Sequence, residues 1–167
     1  EGNVTTDPGV LGGERDMATT LESGTTAGRV IEVMVSAGSF VHRRELDNRG
    51  PTQIVWDGPD NDPFSIDPTG LGGVDLTEGG TQDAVLIELN VEYLGIFQTD
   101  IEIYTDAGNS SGLTSSLAPN QLNWILEIRH DSFNPRLGAG ADLTNVGAIV
   151  VSVDPHPSHR TWIHEIR

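Results

Sequence analysis

No eleven-residue window of this chain sustains an apolar stripe at i, i+3, i+4 and i+7 without a glycine or proline cutting it. Period-two alternation takes its place. Ala84 to Val91 sets Val85, Ile87, Leu89 and Val91 on one face, and Thr99 to Thr105 alternates aliphatic with polar residues. Leu122 to Arg129 aligns Trp124, Leu126 and Ile128, Val146 to Val153 is almost continuously apolar, and Arg160 to Ile166 closes the chain. Arg29 to Val35 is rich in β-branched residues between Gly28 and Gly38. Met17 to Leu21, Ser39 to Arg44 and Gln53 to Trp56 are shorter runs of the same kind. Gly, Pro, Asn and Asp turns bound these segments. Parallel strands need crossover helices, which the pattern does not supply. The expected fold is an all-β, antiparallel β-sandwich, jelly-roll-like, of about nine or ten strands.

At 167 residues the chain is long enough for one domain with its own core. Residues 14–167 are expected to form the sandwich. Residues 1–13, whose only aliphatic side chains are Val4, Val10 and Leu11, read as an extended N-terminal segment. Residues 57–81 and 134–145 read as long connections, a length at which loops are usually functional or lie as covers on the surface. The chain opens at Glu1 without a basic and apolar leader, which reads as a mature or trimmed form. No run approaches the 18 apolar residues of a membrane-spanning helix.

The charge narrows the chemistry. There are 25 acids against nine bases, a net charge of −16, and every base is arginine. Without lysine or cysteine there are no Schiff bases, P-loop lysines, thiolate metal sites, cysteine nucleophiles or disulfides. A surface this negative repels phosphate backbones, so nucleic acid is not an expected partner. The acidity, the low basic content and the abundance of Thr, Ser and Gly suggest secretion. Asn3-Val4-Thr5 and Asn109-Ser110-Ser111 are glycosylation sequons compatible with it.

Five short motifs follow one another along the chain: Leu11-Gly12-Gly13-Glu14-Arg15-Asp16, Val55-Trp56-Asp57-Gly58, Gly70-Leu71-Gly72-Gly73-Val74-Asp75-Leu76-Thr77, Ile103-Tyr104-Thr105-Asp106 and Asn145-Val146-Gly147-Ala148-Ile149. Their order resembles a family of secreted bacterial β-sandwich domains found in cyanobacterial surface proteins and in proteins with the PEP-CTERM sorting tail. The resemblance spans roughly residues 11–166 and implies export to a surface or matrix, without a settled biochemical activity. The sorted members carry a C-terminal hydrophobic segment and basic tail that this sequence does not show, so anchoring by that route is not expected.

Read as chemistry, Gly12 and Gly13 permit positive φ or close backbone approach. Arg15 could then fork onto Asp16 or Asp75 as a structural clasp. Trp56-Asp57-Gly58 reads as a core tryptophan entering a turn. Asp57, Asp60, Asn61, Asp62 and Asp67 crowd carboxylate and amide oxygens into one loop, the donor set calcium takes, although the spacing is not that of an EF-hand. Asp75, Glu78 and Asp83 form a second acidic loop. Asp154 with His156 and His159 reads as a polar turn rather than a transition-metal site. No ordered catalytic signature is present, so no catalytic residue is assigned.

These features favour a secreted, non-enzymatic structural or adhesive protein of a filament, surface layer or biofilm matrix. It would assemble with itself as a homopolymer if residues 1–13 added a strand to a neighbouring subunit. The alternative is a carbohydrate-binding module presenting Trp56, Tyr93, Trp124 or Trp162 to polysaccharide, although aromatic residues are only 5% of the chain. A glycoside-type hydrolase is the weaker alternative.

Overall fold

The computed structural model describes residues 2–6, 9–22, 31–36, 39–44, 50–92, 97–117, 121–155 and 160–166. The alternating runs become β-strands: β1 (Gly2–Thr6), β2 (Glu14–Thr19), β3 (Ile31–Ser36), β4 (Ser39–Arg44), β5 (Thr52–Trp56) and β6 (Ala84–Glu92). They continue as β7 (Phe97–Asp106), β8 (Asn109–Leu117), β9 (Gln121–Arg129), β10 (Asn134–Leu137), β11 (Ala148–Pro155) and β12 (Arg160–Ile166). Two sheets result. One has seven strands in the order β1-β2-β5-β11-β7-β8-β10, and the other has five in the order β3-β4-β12-β6-β9. Every named strand pairing is antiparallel.

The core lies between the sheets. Met17, Ile54, Trp56, Ile101, Ile103, Ile149, Val151 and Val153 reach into it from the seven-stranded sheet, and Val85, Ile87 and Ile128 from the five-stranded one. Burying each aliphatic side chain contributes about 1.5–3 kcal/mol before chain entropy is counted. This is an antiparallel β-sandwich, as expected.

Each of the nine predicted runs overlaps a strand, although Thr20 and Leu21 lie beyond β2, Val146 and Gly147 precede β11, and Arg29 and Val30 lie outside the described residues. The described residues add three more strands. β8, with sequence Asn-Ser-Ser-Gly-Leu-Thr-Ser-Ser-Leu, is held in register by β7 rather than by an apolar face of its own. β10 lies in a segment expected to be a loop and pairs with β8 across a register shift near Arg136. β1 lies in the segment expected to be an extended arm. It pairs with β2 of its own chain, Gly2 opposite Ala18 through Thr6 opposite Glu14. The boundary expected at residue 13 therefore falls inside a β1–β2 hairpin. Residues 2–6 already have a strand partner in their own domain.

Candidate functional site

The five motifs converge at one end of the sandwich. Gly12 and Gly13 both take positive φ, 73° and 81°, and a β-carbon on Gly12 would stand 2.4 Å from Cδ2 of Leu71. Leu71 N–H donates to Gly147 O, and Val74 and Val146 exchange both backbone hydrogen bonds. Gly147 N–H donates in turn to Tyr104 O. The loop that follows β5 closes at its neck, where Gly70 comes so near Asp57 O that an added β-carbon would lie 1.6 Å away. Trp56, buried in the core, leads into that neck, and Asp57 is buried behind it.

Closing the loop traps carboxylates. Met17 is a core residue, so the alternation along β2 turns Glu14 and Asp16 to the opposite, outer face of the sheet. That face is covered at this point: Glu14 and Asp16 are 1% and 0% exposed. The amides of Asp60 and Asn61 donate to Glu14 Oε1 at 3.1 and 2.7 Å, which ties the loop down over β2. Glu14 Oε2, both oxygens of Asp16 and Oδ1 of Asp57 are buried without a hydrogen-bond partner. One oxygen each from Glu14, Asp16 and Asp60 lies within 4.8 Å of the others. Burial, reinforced by the charges of Glu14, Asp57, Asp60 and Asp62, pushes the Asp16 carboxyl up to about 7. Burial likewise pushes Asp57 up to about 6, against one hydrogen bond from the Asp67 amide that holds it down.

The acids expected to bind calcium therefore separate into two groups. Asp57 is buried beside Glu14 and Asp16, and Asp60 meets them from the exposed side. Asp62 and Asp67 are exposed and bonded within their own turns, Asp62 accepting from Phe64 N–H at Oδ1 and Ser65 Oγ at Oδ2, and Asp67 accepting from Thr69 N–H and Oγ1 at Oδ1. Those hydrogen bonds hold both carboxyls below the usual carboxylate range. Asn61 is exposed, with φ 58°. Glu14 is not among the residues expected from the sequence, where Gly12-Gly13-Glu14-Arg15-Asp16 reads as an arginine clasp. The i, i+2 spacing of two acids beside Met17 was the available sign.

The expected Arg15 clasp is not built from those partners. Arg15 and Asp16 are consecutive strand residues and project to opposite faces, and neither Asp16 oxygen accepts a hydrogen bond. Asp75 accepts from Thr77 N–H, Thr77 Oγ1 and Gly79 N–H within its own turn. Asp75 and Leu11 both line a cavity of about 490 Å³ whose walls include Val74, Leu76, Val85 and Ile149.

An arginine clasp does exist on the outer face of the seven-stranded sheet. Ile101 and Ile103 of β7 face the core, so Asp100, Glu102 and Tyr104 face outward. Arg136, at the irregularity in β10, reaches across β8 and forks onto Asp100, with Nη1 2.6 Å from Oδ2 and Nη2 on Oδ1. Its Nη1 also lies 3.2 Å from Glu102 Oε2. Thr114 Oγ1 and Ser110 Oγ donate to Asp100 and Glu102. The Arg136 hydrogen bond, above all, holds the Asp100 carboxyl below its usual range. Burial and the Glu102 carboxylate raise the Tyr104 phenol. Gln53 Nε2 donates to Ser152 Oγ farther across the same face. Tyr104 belongs to one of the five motifs, but Asp100, Glu102, Thr114 and Arg136 lie in stretches that carried none.

Among the other predicted residues, Val4 and Val10 are half-buried, Leu11 and Asn3 exposed. Asn109 is committed: Nδ2 donates to Asp106 and Oδ1 accepts from Ala139 N–H. Tyr93, His156 and His159 lie outside the described residues, as do the side chains of Trp124, Trp162 and Asp154. Trp56, 8% exposed, is a core residue and not part of an open platform.

No family model matches the chain, and no curated protein matches it. Solved structures do. The family 11 carbohydrate-binding module of a cellulosomal cellulase from Clostridium thermocellum aligns with TM-score 0.50 and 16% identity, over 99% of this chain and 92% of that one. An agarase aligns with TM-score 0.52 and 10% identity, over 88% of this chain and 21% of the agarase. At such identities the likeness is one of fold.

Proposed function

We propose that this chain is a non-catalytic polysaccharide-binding module of an exported protein, presenting the outer face of its seven-stranded sheet to the glycan. The observation that carries this reading is the Arg136 network. Its guanidinium, Asp100, Glu102, Thr114 and Tyr104 form a row of donors and acceptors held in place before any ligand arrives. Sugar hydroxyls need both kinds of partner at fixed positions, and a preorganised set lowers the ordering cost of binding. Charge-assisted hydrogen bonds from Arg136 and the carboxylates would supply directionality where stacked aromatic rings are scarce.

The fold it shares with a cellulase's carbohydrate-binding module agrees with this reading. The resemblance to exported β-sandwich domains supports a location outside the cell, where polysaccharides are found. Hydrolysis fits the row poorly. A general acid needs a raised pKa, whereas Arg136 holds Asp100 ionised. Self-assembly through a donated N-terminal strand has less support, because residues 2–6 pair with β2 of the same chain. An adhesive role would instead come from gripping matrix glycans.

Affinity electrophoresis through gels containing mixed-linked glucan, cellulose derivatives, agarose, mannan or xylan tests the reading. Retardation by at least one polysaccharide, lost in Arg136→Ala, is the expected outcome.

A further inference from the structure

We infer that Glu14, Asp16 and Asp60, with Asp57 beside them, form a divalent-cation site, buried at Glu14 and Asp16 and open at Asp60, that fastens the loop following β5 to β2. The donor set, oxygen only and flexible in part, is that of Ca²⁺.

Three independent observations meet here. The first is spacing. Ligands on opposite sides of a Ca²⁺ ion are separated by twice the Ca–O distance of about 2.3–2.6 Å. Oxygens of Glu14, Asp16 and Asp60 within 4.8 Å of one another can therefore share one ion. Among the described residues this is the one group of three or more acids or histidines so placed. The second is the state of the oxygens. Asp16 is fully buried with neither oxygen hydrogen-bonded, and Glu14 Oε2 and Asp57 Oδ1 are also buried and unpartnered. Buried polar atoms ordinarily find partners, and a carboxylate does so most of all. The third is orientation. The amides of Asp60 and Asn61 occupy the other oxygen of Glu14, fixing its carboxylate while leaving Oε2 available.

The contrast within the loop sharpens the assignment. Asp62 and Asp67 have equal formal charge, but both are exposed, and backbone and hydroxyl donors take both oxygens of Asp62 and Oδ1 of Asp67. The site shares the outer face of the seven-stranded sheet with the Arg136 row but lies apart from it. In the strand order, β2 stands three positions from β7, roughly 14 Å at the usual strand spacing. A failed cation test would leave the Arg136 reading standing, and the reverse holds as well.

The test uses the whole chain, stripped with chelator and dialysed, then titrated with calcium chloride or magnesium chloride alone. Thermal unfolding and isothermal titration calorimetry follow binding. The expected result is a melting temperature that rises with Ca²⁺ as mass action requires, with Mg²⁺ much weaker. Asp16→Asn should weaken Ca²⁺ at least tenfold while raising the melting temperature of the stripped protein. Asp60→Asn, at an exposed carboxylate, should weaken Ca²⁺ in the same direction and serves if Asp16→Asn does not fold. Asp62→Asn and Asp67→Asn should retain wild-type affinity. The inference is overturned if about 10 mM Ca²⁺ moves nothing, a level above the range of weak extracellular sites. It is also overturned if Asp62→Asn or Asp67→Asn abolishes binding, or if Asp60→Asn and a folded Asp16→Asn both leave it intact.

Discussion

The Arg136 guanidinium lies across Gly112, where a β-carbon would stand 2.2 Å from Nε and 2.3 Å from Cζ. Gly112 is paired with Glu102 on β7, so the missing side chain opens the lane along which Arg136 reaches Asp100 and Glu102. Gly112→Ala should displace the guanidinium, destabilise the domain by about 1 kcal/mol as the ion pair is lost, and abolish retardation by polysaccharide. Urea unfolding and affinity electrophoresis on the same variant check both effects.

The pair carries a signed pH dependence. The Asp100 carboxyl is lower in the folded state than in the unfolded chain, so the folded state binds fewer protons as pH falls toward that range. Its contribution is present above the unfolded value of about 4 and is lost as pH drops through the folded value. Wild type should exceed Arg136→Met in stability at about pH 6, and the gap should narrow as pH falls below about 4. Urea midpoints measured in parallel across that interval are the check, with a gap that widens in acid as the contrary result.

The neck of the loop tolerates no side chain. Gly70→Ala would place a β-carbon 1.6 Å from the Asp57 carbonyl oxygen, a backbone atom that cannot rotate aside. The loop must open, and a loss of about 2–3 kcal/mol is expected for a disrupted buried backbone contact. Denaturation of this variant should also show a smaller stabilisation by Ca²⁺, because Asp57 and Asp60 move away from β2.

Trp56 separates core from platform. It is buried against the central cluster, so Trp56→Ala should cost about 3–5 kcal/mol. Trp56→Phe, which keeps much of the volume, should leave polysaccharide retardation as in wild type. Thermal melts and electrophoresis of the two variants distinguish a packing role from sugar contact.

Strands whose own side chains face the core were legible in the sequence, since alternation is imposed by burial. β6, β7 and β9 show it plainly, and β11, buried on both faces, shows instead as an almost continuous apolar run. β8 did not, because its serines and Gly112 answer to β7 and Arg136 and not to an apolar core. β1 is an edge strand with no buried residue, so nothing in its pattern distinguished it from an arm. The acidic loop after Trp56 was visible as a concentration of oxygens. What was hidden is that Glu14 and Asp16 lie beneath it. Their burial depends on a loop that begins more than forty residues later, a separation visible in the Glu14 contact with Asn61. The Arg136 row was invisible for a related reason: Asp100, Glu102, Thr114 and Arg136 come from β7, β8 and β10, and none of the four belongs to a motif.

The most direct test of polysaccharide recognition is retardation of the wild-type chain and Arg136→Ala through a panel of polysaccharide gels, run beside Asp67→Asn as a folded control. Wild type and Asp67→Asn should be slowed equally by at least one polysaccharide, and Arg136→Ala should run as in a gel without it. Migration of the wild type unchanged by every polysaccharide, or equal retardation of Arg136→Ala, would contradict the account.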